Sequence, residues 1–107
     1  MLITDVIKHL EDFAPAATAE DFDNVGLLVG DPNKPLSGIL ITLDTLEEVV
    51  EEAIAKKCNL IVSFHPIIFS GLKRLNGNNY VERIVIKAIQ NNIAIYAIHT
   101  ALDNHHL

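Results

Sequence analysis

Two short stretches hold the residues best able to do chemistry: Ser63-Phe64-His65-Pro66 and His99-Thr100-Ala101-Leu102-Asp103. Histidine and aspartate together suit a divalent first-row metal. Neutral imidazole offers one lone pair, and a carboxylate offers a hard anionic oxygen that balances the cation's charge. Each stretch follows an apolar run that reads as a buried strand, Leu60-Ile61-Val62 before the first and Ile93 to Ile98 before the second. Asp44 stands at a third expected strand end. In open α/β sheets, ligands bind in the crevice outside the carboxyl ends of the strands. Taken singly, each residue has a plainer role. A histidine after a strand is more often a hydrogen-bonded structural residue, and an aspartate four residues past a strand is more often a helix cap. His99 and Asp103 share a face only if the chain turns helically there. The case for a metal site is that separate strand ends agree.

Other candidates have two readings each. Pro66 fixes the chain direction after His65. Asp23-Asn24 before Val25-Gly26 reads as a simple turn or as a pair that orients a ligand or substrate. Lys73 and Arg74 read as ordinary surface or as a phosphate contact. His105 and His106 stand where fraying is expected, so they are solvent-exposed or further ligands. Gly26 and Gly30 match neither the Rossmann nor the Walker spacing, so no glycine-rich phosphate loop is expected. No serine or cysteine stands in a nucleophile elbow.

The elements that must place these residues are legible from periodicity. Ile3, Val6, Ile7, Leu10 and Phe13 recur at helical spacing over residues 2 to 14, and Pro15 ends that helix. Residues 16 to 24 read as a loop and Val25 to Val29 as a short strand. Asp31-Pro32-Asn33-Lys34-Pro35 is turn chemistry, and Ile39 to Leu43 is the second strand. Thr45 with Glu48 predicts a capping box, and Leu46, Val49, Val50, Ala53 and Ile54 make the apolar stripe that follows. Asn59 is expected to close that helix in a left-handed conformation. Leu60 to Val62 is the third strand, and a loop runs from His65 to about Gly77. Val81, Ile84, Val85, Ala88 and Ile89 mark a helix that Asn91-Asn92 ends, before the fourth strand. Alternating βαβ units predict an α/β fold with a mainly parallel sheet of about four strands. The continuous apolar runs imply strands buried on both faces. The first strand is open to an antiparallel place at an edge, through the 30–38 turn.

At 107 residues the chain is one small α/β domain or part of a larger protein, and 50% hydrophobic residues suffice for a core. A net charge of −6 argues against a nucleic-acid binder. Glu47, Glu48, Glu51 and Glu52 read as the wet side of a helix. Cys58 is the only cysteine. An internal disulfide is therefore impossible, in keeping with a reducing cytoplasm. Cys58 is not expected to be a catalytic thiol. No signal peptide or membrane span is expected.

Three motifs in order carry a specific resemblance: Asp21-Phe22-Asp23-Asn24-Val25-Gly26-Leu27-Leu28-Val29-Gly30, Ser63-Phe64-His65-Pro66-Ile67-Ile68-Phe69, and Ile95-Tyr96-Ala97-Ile98-His99-Thr100-Ala101-Leu102-Asp103. The chain resembles the Nif-three-like family, whose members are often labelled GTP cyclohydrolase I type 2 homologues. The resemblance spans residues 1–107 as the N-terminal part of a longer protein. It implies a three-layer α/β/α domain, a toroidal homohexamer and a dinuclear centre of zinc, manganese or iron. His65 and Asp103 carry over as metal ligands, and His99 is placed near the metals as the candidate catalytic residue. The family's His-His-Pro doublet has Phe64 in its first position here, so one ion loses a partner. The remaining histidine and glutamate ligands belong to the C-terminal half. The resemblance implies a metal-dependent hydrolase acting on a nucleotide-like substrate in the full-length parent. The alternative is a non-catalytic metal-binding scaffold or partner-binding module in a ring-shaped homo-oligomer. An isolated folded fragment is the third reading, self-associating through apolar surface.

Overall fold

The computed structural model describes residues 1–13, 24–68 and 71–98. Among these residues three helices and four strands follow in the order α1 (Ile3–Phe13), β1 (Gly26–Val29), β2 (Ile39–Thr42), α2 (Glu47–Ala55), β3 (Leu60–Ser63), α3 (Tyr80–Gln90) and β4 (Ala94–Ala97). The sheet runs β1-β4-β3-β2. β2, β3 and β4 are parallel, and β1 is antiparallel to β4. The α/β architecture and the antiparallel edge strand are as the sequence predicts. The route into that strand is not a hairpin: β1 and β2 lie at opposite edges, so residues 30–38 cross the sheet's end.

That crossing is tied down on both sides. Thr4 N–H donates to the Pro32 carbonyl at 2.7 Å, and Leu36 N–H donates to the Met1 carbonyl at 2.8 Å. Asn59 straps the far end: its Oδ1 accepts from Ser37 N–H and its Nδ2 donates to the Pro35 carbonyl. Asn59 therefore does not close α2. Lys57 takes the left-handed conformation (φ 58°) instead. Lys57 N–H returns to the Ile54 carbonyl and Cys58 N–H to the Ala53 carbonyl, the paired bonds of a Schellman closure. α3 ends the same way at Asn92 (φ 56°), with bonds from Asn92 to Ile89 and from Ile93 to Ala88.

Both faces of the central strands are covered, which is why Leu60–Ser63 and Ala94–Ala97 are buried throughout. Ile61 and Ile95 meet Val50, Ala53, Ile84, Val85 and Ala88 of α2 and α3. Leu60, Val62, Ala94 and Tyr96 meet Ile3, Val6, Ile7 and Leu10 of α1. This gives three layers, with one helix on one face and two on the other. Ile39 and Ile41 share the α1 face with Leu60 and Val62 by register, yet both are exposed.

The acidic residues of α2 are on its wet side, as expected, but they also join it to α3. Glu47 accepts from Arg83 at 3.0 Å, and Glu51 pairs with Lys87. The start of α3 carries a reciprocal cap that its sequence, Asn79-x-x-Glu82, encodes. Asn79 Oδ1 accepts from Glu82 N–H, and the Glu82 carboxylate accepts from Asn76 N–H, Asn78 N–H and Asn79 Nδ2.

Tyr96 gives the α1 layer a pH signature. The side chain is buried, and its hydroxyl donates to Glu11 Oε2 at 3.4 Å. Burial, then the Glu11 charge, push its pKa from 10.0 up to about 12. Below pH 10 the phenol is protonated in folded and unfolded chains alike, so its contribution is intact. Above pH 10 the unfolded chain ionises first, and stability falls until the folded-state value near 12 is passed. We expect a loss of about 2–3 kcal/mol across that window. Urea unfolding from pH 9 to 12 should show this loss, and the Tyr96→Phe variant should show a flatter profile.

Candidate metal site at the strand ends

β2 and β3 run parallel with Thr42 beside Ser63, so the chain leaves both strands at the same level. Two residues beyond each strand stand Asp44 and His65. Asp44 Oδ1 lies 2.6 Å from His65 Nδ1. Both side chains are about half-exposed, at 50% and 44%. They line a cleft of about 230 Å³ whose other walls include Thr45, Pro66, Ile67 and Tyr80. This is the crevice position that open α/β sheets use for ligands.

The cleft floor departs from expectation at Thr45. The capping box does not form. Leu46 is the N-cap of α2 and makes no side-chain cap bond. Thr45 is only 3% exposed, and among the described residues its Oγ1 has no hydrogen-bond partner. A buried hydroxyl left so costs about 1–3 kcal/mol. α2 begins one residue later than the pattern implied, and the threonine side chain turns inward.

Phe64 stands edge-on to His65, with ring centroids 5.1 Å apart and planes at 70°. It contributes no donor atom and is not a wall of the cleft. Asn24 Nδ2 donates to the Ile68 carbonyl at 2.5 Å, which joins the approach to β1 with the segment after His65. Lys73 and Arg74 are exposed and do not line the cleft. Cys58 precedes β3, at the end of that strand opposite His65.

His99, Asp103, His105, His106 and Asp23 lie outside the described residues. The described part of the chain reaches Ile98, whose N–H donates to the Ser63 carbonyl at 3.1 Å. Among the described residues no three histidine, cysteine, aspartate or glutamate side chains gather as a metal-holding group. The His65 imidazole is chemically suited to a first-row divalent ion, but among the described residues it supplies only part of a coordination shell, with Asp44 bonded to its Nδ1. Asp44 stands at the strand end where the sequence places it; its pairing with His65 is what the sequence reading lacked. The signal for it was the equal two-residue overhang past adjacent parallel strands, readable only once their register is known.

The layered α/β sheet and its strand-end cleft define a class of small α/β domains with a carboxyl-edge site. The family described as Duf34/NIF3 (NGG1p interacting factor 3) matches residues 1–107, and the chain belongs to that family. It is 42% identical over 102 residues to the GTP cyclohydrolase 1 type 2 homolog of Clostridium acetobutylicum, covering 95% of this chain and 38% of that protein. It is 46% identical over 100 residues to human NIF3-like protein 1, covering 92% of this chain and 26% of that one. The crystal structure of a Staphylococcus aureus hypothetical protein superposes with a TM-score of 0.92 at 47% identity, covering 96% of this chain and 34% of that one. The chain thus spans well under half the length of these relatives. Among the described residues no helix is long and apolar enough to cross a membrane.

Proposed function

We propose that this chain contributes the N-terminal part of a divalent-metal site, with His65 and Asp103 as ligands and His99 beside them. The observation that supports this best is the Asp44–His65 pair, set at the carboxyl ends of two parallel strands over a cleft. In this reading the ions are zinc, manganese or iron, two in a full-length protein. The full-length protein is a cytoplasmic metal-dependent hydrolase of a nucleotide-like substrate, assembled as a ring-shaped homohexamer. The names of relatives such as the Clostridium acetobutylicum protein support the substrate class. A bound ion supplies Lewis acidity and lowers the pKa of water at the site. This chain's own part is to hold His65 at a fixed place through the β3 strand end, while Pro66 and Ile67 wall the cleft. Nucleic acid is not among the ligands of this reading, since the net charge is −6.

Phe64 favours a second reading: a carbon ring where the family doublet has a histidine lowers the donor count, which suits a non-catalytic metal-binding scaffold or partner-binding module. Metal analysis of purified protein, combined with native mass, tests the site. Asp103→Ala should abolish metal uptake and leave the circular dichroism spectrum unchanged. Equal metal content in that variant would refute the ligand assignment. Turnover of nucleotides by a full-length protein with manganese, zinc or iron separates hydrolase from scaffold.

A further inference from the structure

We propose that Asp44 is the positioning residue of His65: it holds the imidazole in the Nδ1–H form and so makes Nε2 the nitrogen offered to a divalent cation. This rests on the metal-site reading above. The starting observation is the 2.6 Å separation of Nδ1 and Asp44 Oδ1. A carboxylate can only accept, so a neutral imidazole bonded to it carries its proton on Nδ1 and its lone pair on Nε2. Metal-binding histidines commonly give their second ring N–H to a carboxylate, which fixes ring orientation and raises basicity.

An exposed pair of this kind ordinarily contributes little and holds no fixed geometry. The backbone beneath this pair makes it different. The Asp44 carbonyl accepts from Thr42 Oγ1 at 2.9 Å. His65 N–H donates to the Leu43 carbonyl at 3.0 Å, and Phe64 N–H donates to the Thr42 carbonyl at 3.1 Å. The His65 carbonyl accepts from the fully buried Ser63 hydroxyl at 2.7 Å. Pro66 then restricts the chain on the far side of His65. Both side chains therefore leave backbones that are already anchored, and the ring–carboxylate bond forms at little further entropic cost. Four bonds that place two half-exposed side chains on one another do more than a surface pair requires.

Nitrogen-15 NMR of the histidine rings at pH 8, without metal, reads the tautomer directly. His65 should be the Nδ1–H form in the native sequence and should move toward the Nε2–H form in Asp44→Ala, with unchanged circular dichroism. Zinc titration of the two proteins should show affinity about 10- to 100-fold weaker in Asp44→Ala. A native His65 in the Nε2–H form, or a tautomer that ignores Asp44→Ala, overturns the inference, as does equal zinc affinity in both proteins. If the tautomer responds as stated but the native protein binds no zinc, the hold of Asp44 on the ring stands and the metal-site reading falls.

Discussion

His65→Ala should lower divalent-metal affinity by roughly 100-fold or more, because it removes a proposed ligand outright, whereas loss of an outer partner costs about 10- to 100-fold. The same change should barely touch the fold. The His65 side chain is 44% exposed, and its pairing with Asp44 is half in water. Exposed pairs contribute about 0–1 kcal/mol, which is at most about 8 °C in Tm for a domain near this size. Isothermal titration with zinc or manganese and a thermal melt on the same sample separate the two effects. A large fall in Tm with retained metal affinity would assign His65 a purely structural role.

Gly30→Ala should destabilise the fold by about 3 kcal/mol, and Gly30→Val by more. Gly30 has φ +102°, and a Cβ there would sit 2.7 Å from Ala94 Cα and 2.9 Å from Ala94 Cβ. Ala94 opens a central strand buried on both faces, so it has nowhere to retreat. The unfavourable backbone conformation alone costs about 1–3 kcal/mol, and the collision adds to it. Gly26 supplies the comparison. It has φ +104°, but among the described residues a Cβ there meets nothing within 4 Å. Gly26→Ala should therefore show the conformational cost without the collision. Urea unfolding of the two alanine variants should differ, with Gly30→Ala the less stable. Equal midpoints would mean that β1 shifts away from β4 freely.

The helices were legible because their apolar residues recur with the helical period, and the body of each stripe faces the sheet: Ile3, Val6, Ile7 and Leu10 on one side, Val50, Ala53, Ile84, Val85 and Ala88 on the other, whereas Phe13, Leu46 and Ile89, which the period also included, are exposed. The placement of His65 beyond a buried strand was equally local information. What escaped depended on long-range pairing. Asp44 meets His65 only because β2 and β3 are parallel and in the stated register, and no short window of sequence contains both. The partner of β1 escaped for the same reason: a turn-rich segment from 30 to 38 reads as a hairpin, while the observed path crosses the sheet to pair β1 with β4. Asn59 and Thr45 show local signals losing to tertiary context. The amide of Asn59 is engaged by Ser37 and Pro35, so the left-handed position falls to Lys57. Thr45 is buried instead of capping.

The two matching helix closures, at Lys57 and Asn92, act as metronomes for the sheet. Each delivers the chain to its central strand after a fixed number of residues. Side chains alternate between faces with a period of two, so one residue more or fewer in either closure would invert the strand that follows. Inversion of β3 would carry Ser63 to the opposite layer and turn the imidazole two residues on away from Asp44. The chemistry at the carboxyl edge is thus timed from the other end of the sheet.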